Sequence, residues 1–208
     1  MIKKLYTMNI DNYLPELCKI TMPTIEAYAH KIGAELIIIT ERQFPDWPIT
    51  YEKIQLYNLA KDNDWTIFVD ADTVIGKDVP DFTELLKYYH IGVYMTYDAD
   101  ITLPSEYFMI EDRRNIGIVT SFMVVHKDCH KIWTPLTESI QSALRRLRCV
   151  NARPHIIDEF CISRNLARYK FDFRGLIEIN DQFLHLSAIS EDNNTLKRAK
   201  DFACLYTT

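Results

Sequence analysis

The first seventy residues read as five elements that alternate between strand and helix character, and that alternation restricts the chain to very few folds. "IKKLYTMNI" (2–10) reads as a strand, and residues 13–33 carry helical periodicity, interrupted by prolines and stopped at Gly33. "AELIIIT" (34–40) follows as a buried strand, then a Pro-rich loop over 41–50. "YEKIQLYNLAKDND" (51–64) reads as a helix with Thr50 as its N-cap, and "WTIFVD" (65–70) as a third strand. Strand, helix, strand, helix, strand implies right-handed crossovers and a mainly parallel central sheet flanked by helices, an α/β fold. In open sheets of this class ligands bind beyond the carboxyl ends of the strands.

The remainder reads as a helix over 79–89, a strand over 91–98, a long loop, and an apolar strand over 116–127. A helix at about 128–148 and another over 156–168 follow, then a strand pair at "YKFDF" and "LIEIN", "FLHLS" (183–187), and a closing helix over 191–206. No linker or second core interrupts this series, so the expectation is a single domain over 1–208 with a parallel first half and a mixed C-terminal half. The 208 residues suffice for a sizeable core. The five cysteines are scattered and never form a CxxC pair, which predicts reduced, structural thiols rather than a disulfide framework or a thiolate zinc site. A net charge of −5 argues against nucleic acid as a partner. No apolar run approaches the ~20 residues of a membrane span, and no signal core opens the chain, so a cytoplasmic location is expected.

Asp70 and Asp72 stand where the third strand ends. Two carboxylates so close raise one another's pKa unless a cation neutralises them, and a divalent metal with oxygen ligands is the economical partner. A metal held there could in turn hold a diphosphate.

"YEKIQLYNLAKDNDWTIFVDADTVI" resembles the segment of GT-A glycosyltransferases, notably the glycogenin-like and the galactosyl- or xylosyltransferase families, in which a Lys-bearing helix leads into an apolar strand ending in DxD. "IGIVTSFMVVHKD" is similar to their central strand, "IDEFCISRNL" to their Asp-Gln or Asp-Glu helix, and "FLHLS" to the late strand that supplies a metal-binding His. The resemblance also extends to amino-terminal glycosyltransferase domains of multidomain glycan-building proteins of large algal viruses, so further domains of a longer polypeptide, in host cytoplasm, are an expectation. It implies a single Rossmann-like GT-A domain, with residues 1–100 as the nucleotide-binding half and 101–208 as the acceptor and sugar side.

The activity implied is metal-dependent transfer of a hexose or deoxyhexose from a UDP-sugar to a glycan acceptor, with retention of configuration. By the same resemblance Asp70, Asp72 and His185 hold Mn²⁺, with Mg²⁺ as the alternative, and imidazole beside carboxylates suits Mn²⁺ somewhat better. Thr7, Asn9 and Tyr13 would receive base and ribose, and Lys53, Asp70, Ala71 and Asp72 the phosphates and donor sugar. Asp158 and Glu159 would read the sugar near the reacting carbon. Thr120 and Ser121 stand where relatives often carry Asn-Ser or Thr-Gly.

Each of these has a plainer reading: His185 as a core histidine, Tyr13 as a surface aromatic, Lys53 as an exposed helix lysine, and Asp158 with Glu159 as acids favoured at a helix start. A second "DAD" at 98–100 also follows a strand but lacks the Lys-bearing helix, and Asp98 and Asp100 could line the acceptor side instead. The loop after it is long enough for a lid. The basic run at 145–153 reads as the solvated end of a helix, with an acceptor or membrane-surface contact as the alternative. "VDADTVI" also fits the strand-end motif of haloacid-dehalogenase-like phosphatases, with Asp70 as nucleophile and Asp72 as acid. That motif normally opens its domain's first strand, whereas here two strands precede it. A non-catalytic nucleotide-sugar-binding module is the third alternative.

Overall fold

In a computed structural model the described residues are 1–86, 90–94, 118–149, 153–176, 181–186 and 191–206. Their eight strands are β1 (Lys3–Met8), β2 (Glu35–Ile39), β3 (Trp65–Val69), β4 (Thr73–Ile75), β5 (Ile91–Val93), β6 (Phe122–His126), β7 (Arg174–Gly175) and β8 (Phe183–His185). The helices are α1 (Pro15–Lys31), α2 (Leu56–Leu59), α3 (Phe82–Leu85), α4 (Ile140–Cys149), α5 (Ile157–Arg168) and α6 (Asn193–Tyr206). The central sheet runs β2-β1-β3-β6-β5-β7, parallel from β2 to β3, antiparallel on both sides of β6, and parallel again between β5 and β7. A separate ribbon pairs β4 with β8 antiparallel. This is the mainly parallel α/β sheet with a mixed second half that the sequence predicts.

Strand alternation distributes the core to the two faces of the sheet. Tyr6 and Phe68 join the cluster with Ile54, Trp133, Phe160 and Cys161 on the α5 side. Leu5, Ile67 and Val69 face the other way, with Ile25, Tyr28, Phe82 and Phe122. A smaller cluster of Leu17, Val74, Leu186 and Ala199 packs α1, β4, β8 and α6 together. The β4–β8 ribbon thereby rests against α1, just past the end of β3.

Several elements are shorter or tighter than expected. The helix expected over 51–64 is a 3-10 segment, Ile49–Gln55, that passes into α2. Its side chains at i and i+3 eclipse, which buries Tyr51 with Ile54 and lets Gln55 Nε2 donate to Glu52 Oε2 at 2.8 Å. Glu52 also accepts the Gln43 and Phe44 amides at 2.9 and 3.0 Å, so its carboxylate ties down the preceding loop. Thr50 is not a cap: Pro48 occupies that position without a side-chain bond, and Thr50 Oγ1 donates to the His155 carbonyl at 2.6 Å.

The helix expected at about 128–148 divides into a 3-10 segment, Lys127–Trp133, and α4, because Pro135 drives Thr134 out of helical geometry (ψ 126). Pro80 likewise delays the helix expected from 79 until Asp81 caps α3 through the Thr83 amide at 3.0 Å. The first partner of the expected strand pair is absent: Lys170 at φ 56 closes α5 in a left-handed turn, and β7 pairs with β5 instead. The second DAD, the loop after it, and most of "LIEIN" lie outside the described residues.

Candidate active site

The carboxyl ends of β1 and β3, the amino-terminal end of β6, the 3-10 segment and the start of α5 converge on one polar cluster. The β1–β3 register pairs Tyr6 with Phe68, which puts Met8 beside Asp70, and the Asp70 amide donates to the Ser121 carbonyl at 2.9 Å. Residues 71 and 72 form a turn. The turn is anchored: Thr21 Oγ1 donates to the Ala71 carbonyl at 2.5 Å and the Leu186 amide to the Asp72 carbonyl at 3.1 Å. β8 then brings His185 opposite Thr73, so that His185 Nε2 lies 3.6 Å from Asp70 Oδ2 and 3.4 Å from Asp72 Oδ1.

Lys53 joins this cluster to α5. Its ammonium lies 2.9 Å from Asp70 Oδ1, 2.8 Å from Asp158 Oδ2 and 2.9 Å from Thr120 Oγ1, and its side chain is only 4% exposed. Thr120 Oγ1 donates onward to Asp158 Oδ2 at 2.7 Å. The reading of Lys53 as an exposed lysine is thus overturned. Thr120, singled out only for its departure from the family pattern, is a full member of the network.

Burial alone would push the Lys53 ammonium down, but Asp158 and Asp70 outweigh it and raise its pKa, so the charge is retained. Burial raises Asp70, with Lys53 and His185 pulling against it. His185 is raised despite burial, by a hydrogen bond and charge from Asp72 and by the charge of Asp70. Glu159 is pushed up to about 8, by burial first and then by the neighbouring Asp158. Its Oε2 is buried without a hydrogen-bond partner.

The nucleotide-side candidates stand less close together. Tyr13 hydrogen-bonds to Asp72, and burial with the two aspartates raises its hydroxyl pKa. The thiol of Cys18, which the sequence did not single out, donates to the Tyr13 carbonyl at 3.1 Å and is pushed up to about 11 by burial and then by Asp72. Tyr13 sits in a stretch where Asp11, Asn12 and Leu14 all adopt left-handed backbone, at φ 56, 53 and 41. Three such non-glycine residues in four store strain of the kind that collects at ligand sites. Asn9 Oδ1 and Thr7 Oγ1 are both buried without hydrogen-bond partners. Thr7 shares the parity of Leu5 on β1, so it points to the α1 face and away from Lys53.

The donor set fits a divalent cation. Asp70, Asp72 and His185 offer two carboxylates and one imidazole within 4.8 Å of one another. The Lys53 ammonium pairs with Asp70 and Asp158, and His185 is the basic group beside Asp72, so the carboxylates gather here in a largely buried place that a divalent cation would suit.

No family model and no curated protein matches the sequence. Solved structures do match. A glycosyltransferase involved in the glycosylation of the major capsid of PBCV-1 superposes with a TM-score of 0.57 at 11% identity, covering 98% of this chain and 100% of that one. The chain's fold is that of the GT-A glycosyltransferases. The galactosyltransferase LgtC, in complex with donor and acceptor sugar analogs, gives a TM-score of 0.54 at 12% identity over 99% of this chain and 96% of its own. An active-site mutant of LgtC gives 0.51 at 13% identity with the same coverage. In this GT-A frame the cluster around Lys53 sits beyond the carboxyl ends of the parallel strands, where the architecture places its ligands. Among the described residues no helix is long and apolar enough to cross a membrane.

Proposed function

We propose that the chain is a metal-dependent glycosyltransferase that moves a hexose or deoxyhexose from a UDP-sugar to a glycan acceptor with retention of configuration. The observation that carries this reading is the Lys53 junction, which ties the Asp70, Asp72 and His185 cluster to Asp158, the chain neighbour of Glu159, through single hydrogen bonds. The fold shared with two glycosyltransferases supports it over the phosphatase alternative.

Asp70, Asp72 and His185 would hold Mn²⁺, or Mg²⁺ in its place. When bound, the cation supplies the positive charge that a departing nucleoside diphosphate requires. Lys53 holds Asp70 and Asp158 in fixed positions and offsets their charge from beneath. Asn9, Thr7 and Tyr13 receive base and ribose, with the unpartnered Asn9 Oδ1 as an acceptor for a base N–H. The Ala71 carbonyl, pinned by Thr21, fixes the backbone against which the donor lies. Asp158 positions Lys53, and Glu159 presents a carboxyl oxygen free of other partners to the sugar side. Residues 1–208 are read as a single domain, with the nucleotide half over 1–100 and the acceptor half over 101–208, acting in the cytoplasm as part of a longer glycan-building polypeptide of algal-virus type.

A panel of UDP-sugars incubated with the protein, with and without Mn²⁺, tests the reading through the UDP released. At least one donor is expected to give Mn²⁺-dependent release that Asp72→Asn removes without changing the circular dichroism. Nucleotide binding with no turnover on any donor and acceptor would point to a binding module instead.

A further inference from the structure

We propose that His90, His126 and Asp128 form a second metal site, for a first-row transition ion of the zinc type, at the end of the sheet opposite the Asp70, Asp72 and His185 cluster. His126 ends β6 and pairs in register with Trp65, the first residue of β3. Asp70 lies five residues further along that strand, roughly 17 Å away at ~3.3 Å per residue. The two sites therefore share no ligand, and this one does not depend on the sugar-transfer reading.

The backbone brings the three side chains together. The His126 amide donates to the His90 carbonyl at 2.8 Å, and the two rings lie 4.9 Å apart between centroids. Asp128 Oδ2 is 3.2 Å from His126 Nδ1 and 3.9 Å from His90 Nδ1, and one ligand atom from each residue falls within 4.8 Å of the others. Tetrahedral zinc with bonds of about 2.0–2.1 Å sets its ligands roughly 3.3 Å apart, so one separation already matches and the rest close by small movements of half-exposed side chains.

Two features prepare the site. Trp65 packs edge-on against the His126 ring at 4.8 Å and fixes its plane. The Asp128 amide donates to His126 Nδ1 at 3.4 Å, which puts the lone pair on the nitrogen that faces Asp128, and a bound ion would take the place of this long hydrogen bond. The adjacent ammonium, Lys127, is drawn off to Asp64 at 2.7 Å and leaves the Asp128 carboxylate available. Two imidazoles with one carboxylate select zinc, nickel or copper over magnesium or manganese, the reverse of the preference at a site with two carboxylates. His90 directly precedes β5 and His126 ends β6, so an ion bound there would hold these two strands together and, binding only the folded chain, stabilise it by mass action.

Zinc titration of the full chain, followed by calorimetry and by melting temperature, tests this. One zinc equivalent is expected to persist in His185→Ala, which disables the other cluster, and to disappear when His90→Ala is added. In His185→Ala zinc should raise the melting temperature by roughly 5–10 °C at about a hundredfold excess over Kd, and not at all in the double variant. Since His126 packs on Trp65, the half-exposed His90 is the deciding substitution. An independent readout is quenching of Trp65 fluorescence by Ni²⁺, expected in the parent chain and lost in both Trp65→Phe and His90→Ala. Zinc binding of equal stoichiometry and affinity with and without His90, or loss of all zinc in His185→Ala alone, would overturn the proposal.

Discussion

Glu159 carries a carboxyl for which keeping the proton costs less than ionising, because it is buried beside Asp158. Its folded-state pKa of about 8 exceeds the ordinary 4.5, so the folded chain binds this proton more tightly than the unfolded one. The resulting stabilisation is complete below about pH 4.5 and is lost as pH rises through about 8. Glu159→Gln mimics the protonated acid and should match the parent near pH 4, then become progressively the more stable of the two as pH rises from about 4.5 to about 8. Urea midpoints at pH 4 and pH 9 check this, and an equal difference at both would remove the cause assigned. Lys53→Met strips two buried carboxylates of their shared counter-ion, and a loss of about 3–5 kcal/mol in urea unfolding is expected. Substitution also decides between the two DAD motifs. Asp72→Asn should abolish Mn²⁺ binding, and Asp100→Asn, outside the described residues, should leave it nearly intact; the opposite outcome would move the metal to the second motif.

The stretch from β1 into α1 sets Tyr13 against Asp72 by forcing Asp11, Asn12 and Leu14 into left-handed backbone. Asn12 is exposed, so its side chain contributes little packing and its conformation can be tested almost alone. Asn12→Val places a β-branched residue at φ 53 and should cost about 1–2 kcal/mol in thermal or urea unfolding, with weaker UDP binding alongside, whereas Asn12→Gly should be tolerated. This strain was illegible in the sequence, because no glycine marks it. Other elements misread for local reasons are now traceable. "YEKIQLYNLAKDND" has helical spacing, but Glu52 serves the amides of Gln43 and Phe44 and a tighter winding lets Gln55 reach it. Thr50 looks like a cap until its hydroxyl is seen bonded to His155, more than a hundred residues away. Pro135 and Pro80 are visible in the sequence, and each overrides the helical periodicity around it.

At the scale of the molecule, the first half of the chain was legible because local patterns determine it: three parallel strands with helices between, and carboxylates where the third strand ends. The junction to the second half was legible only in part. Asp158, Lys53 and His185 follow from the family resemblance, but the role of Thr120 depends on β6 running antiparallel to β3, a pairing between residues more than fifty apart that no local pattern encodes. The same non-local ribbon, β4 with β8, delivers His185 to the aspartates. All these elements serve one claim, that the protein grips a nucleoside diphosphate chiefly through a cation shared by Asp70, Asp72 and His185. Calorimetric titration of UDP into the full chain, first with saturating Mn²⁺ and then with excess chelator, measures that claim directly. At least a tenfold tighter affinity with Mn²⁺, about 1.4 kcal/mol, is expected, together with its loss in Asp72→Asn. Equal affinities with metal and with chelator would contradict the account.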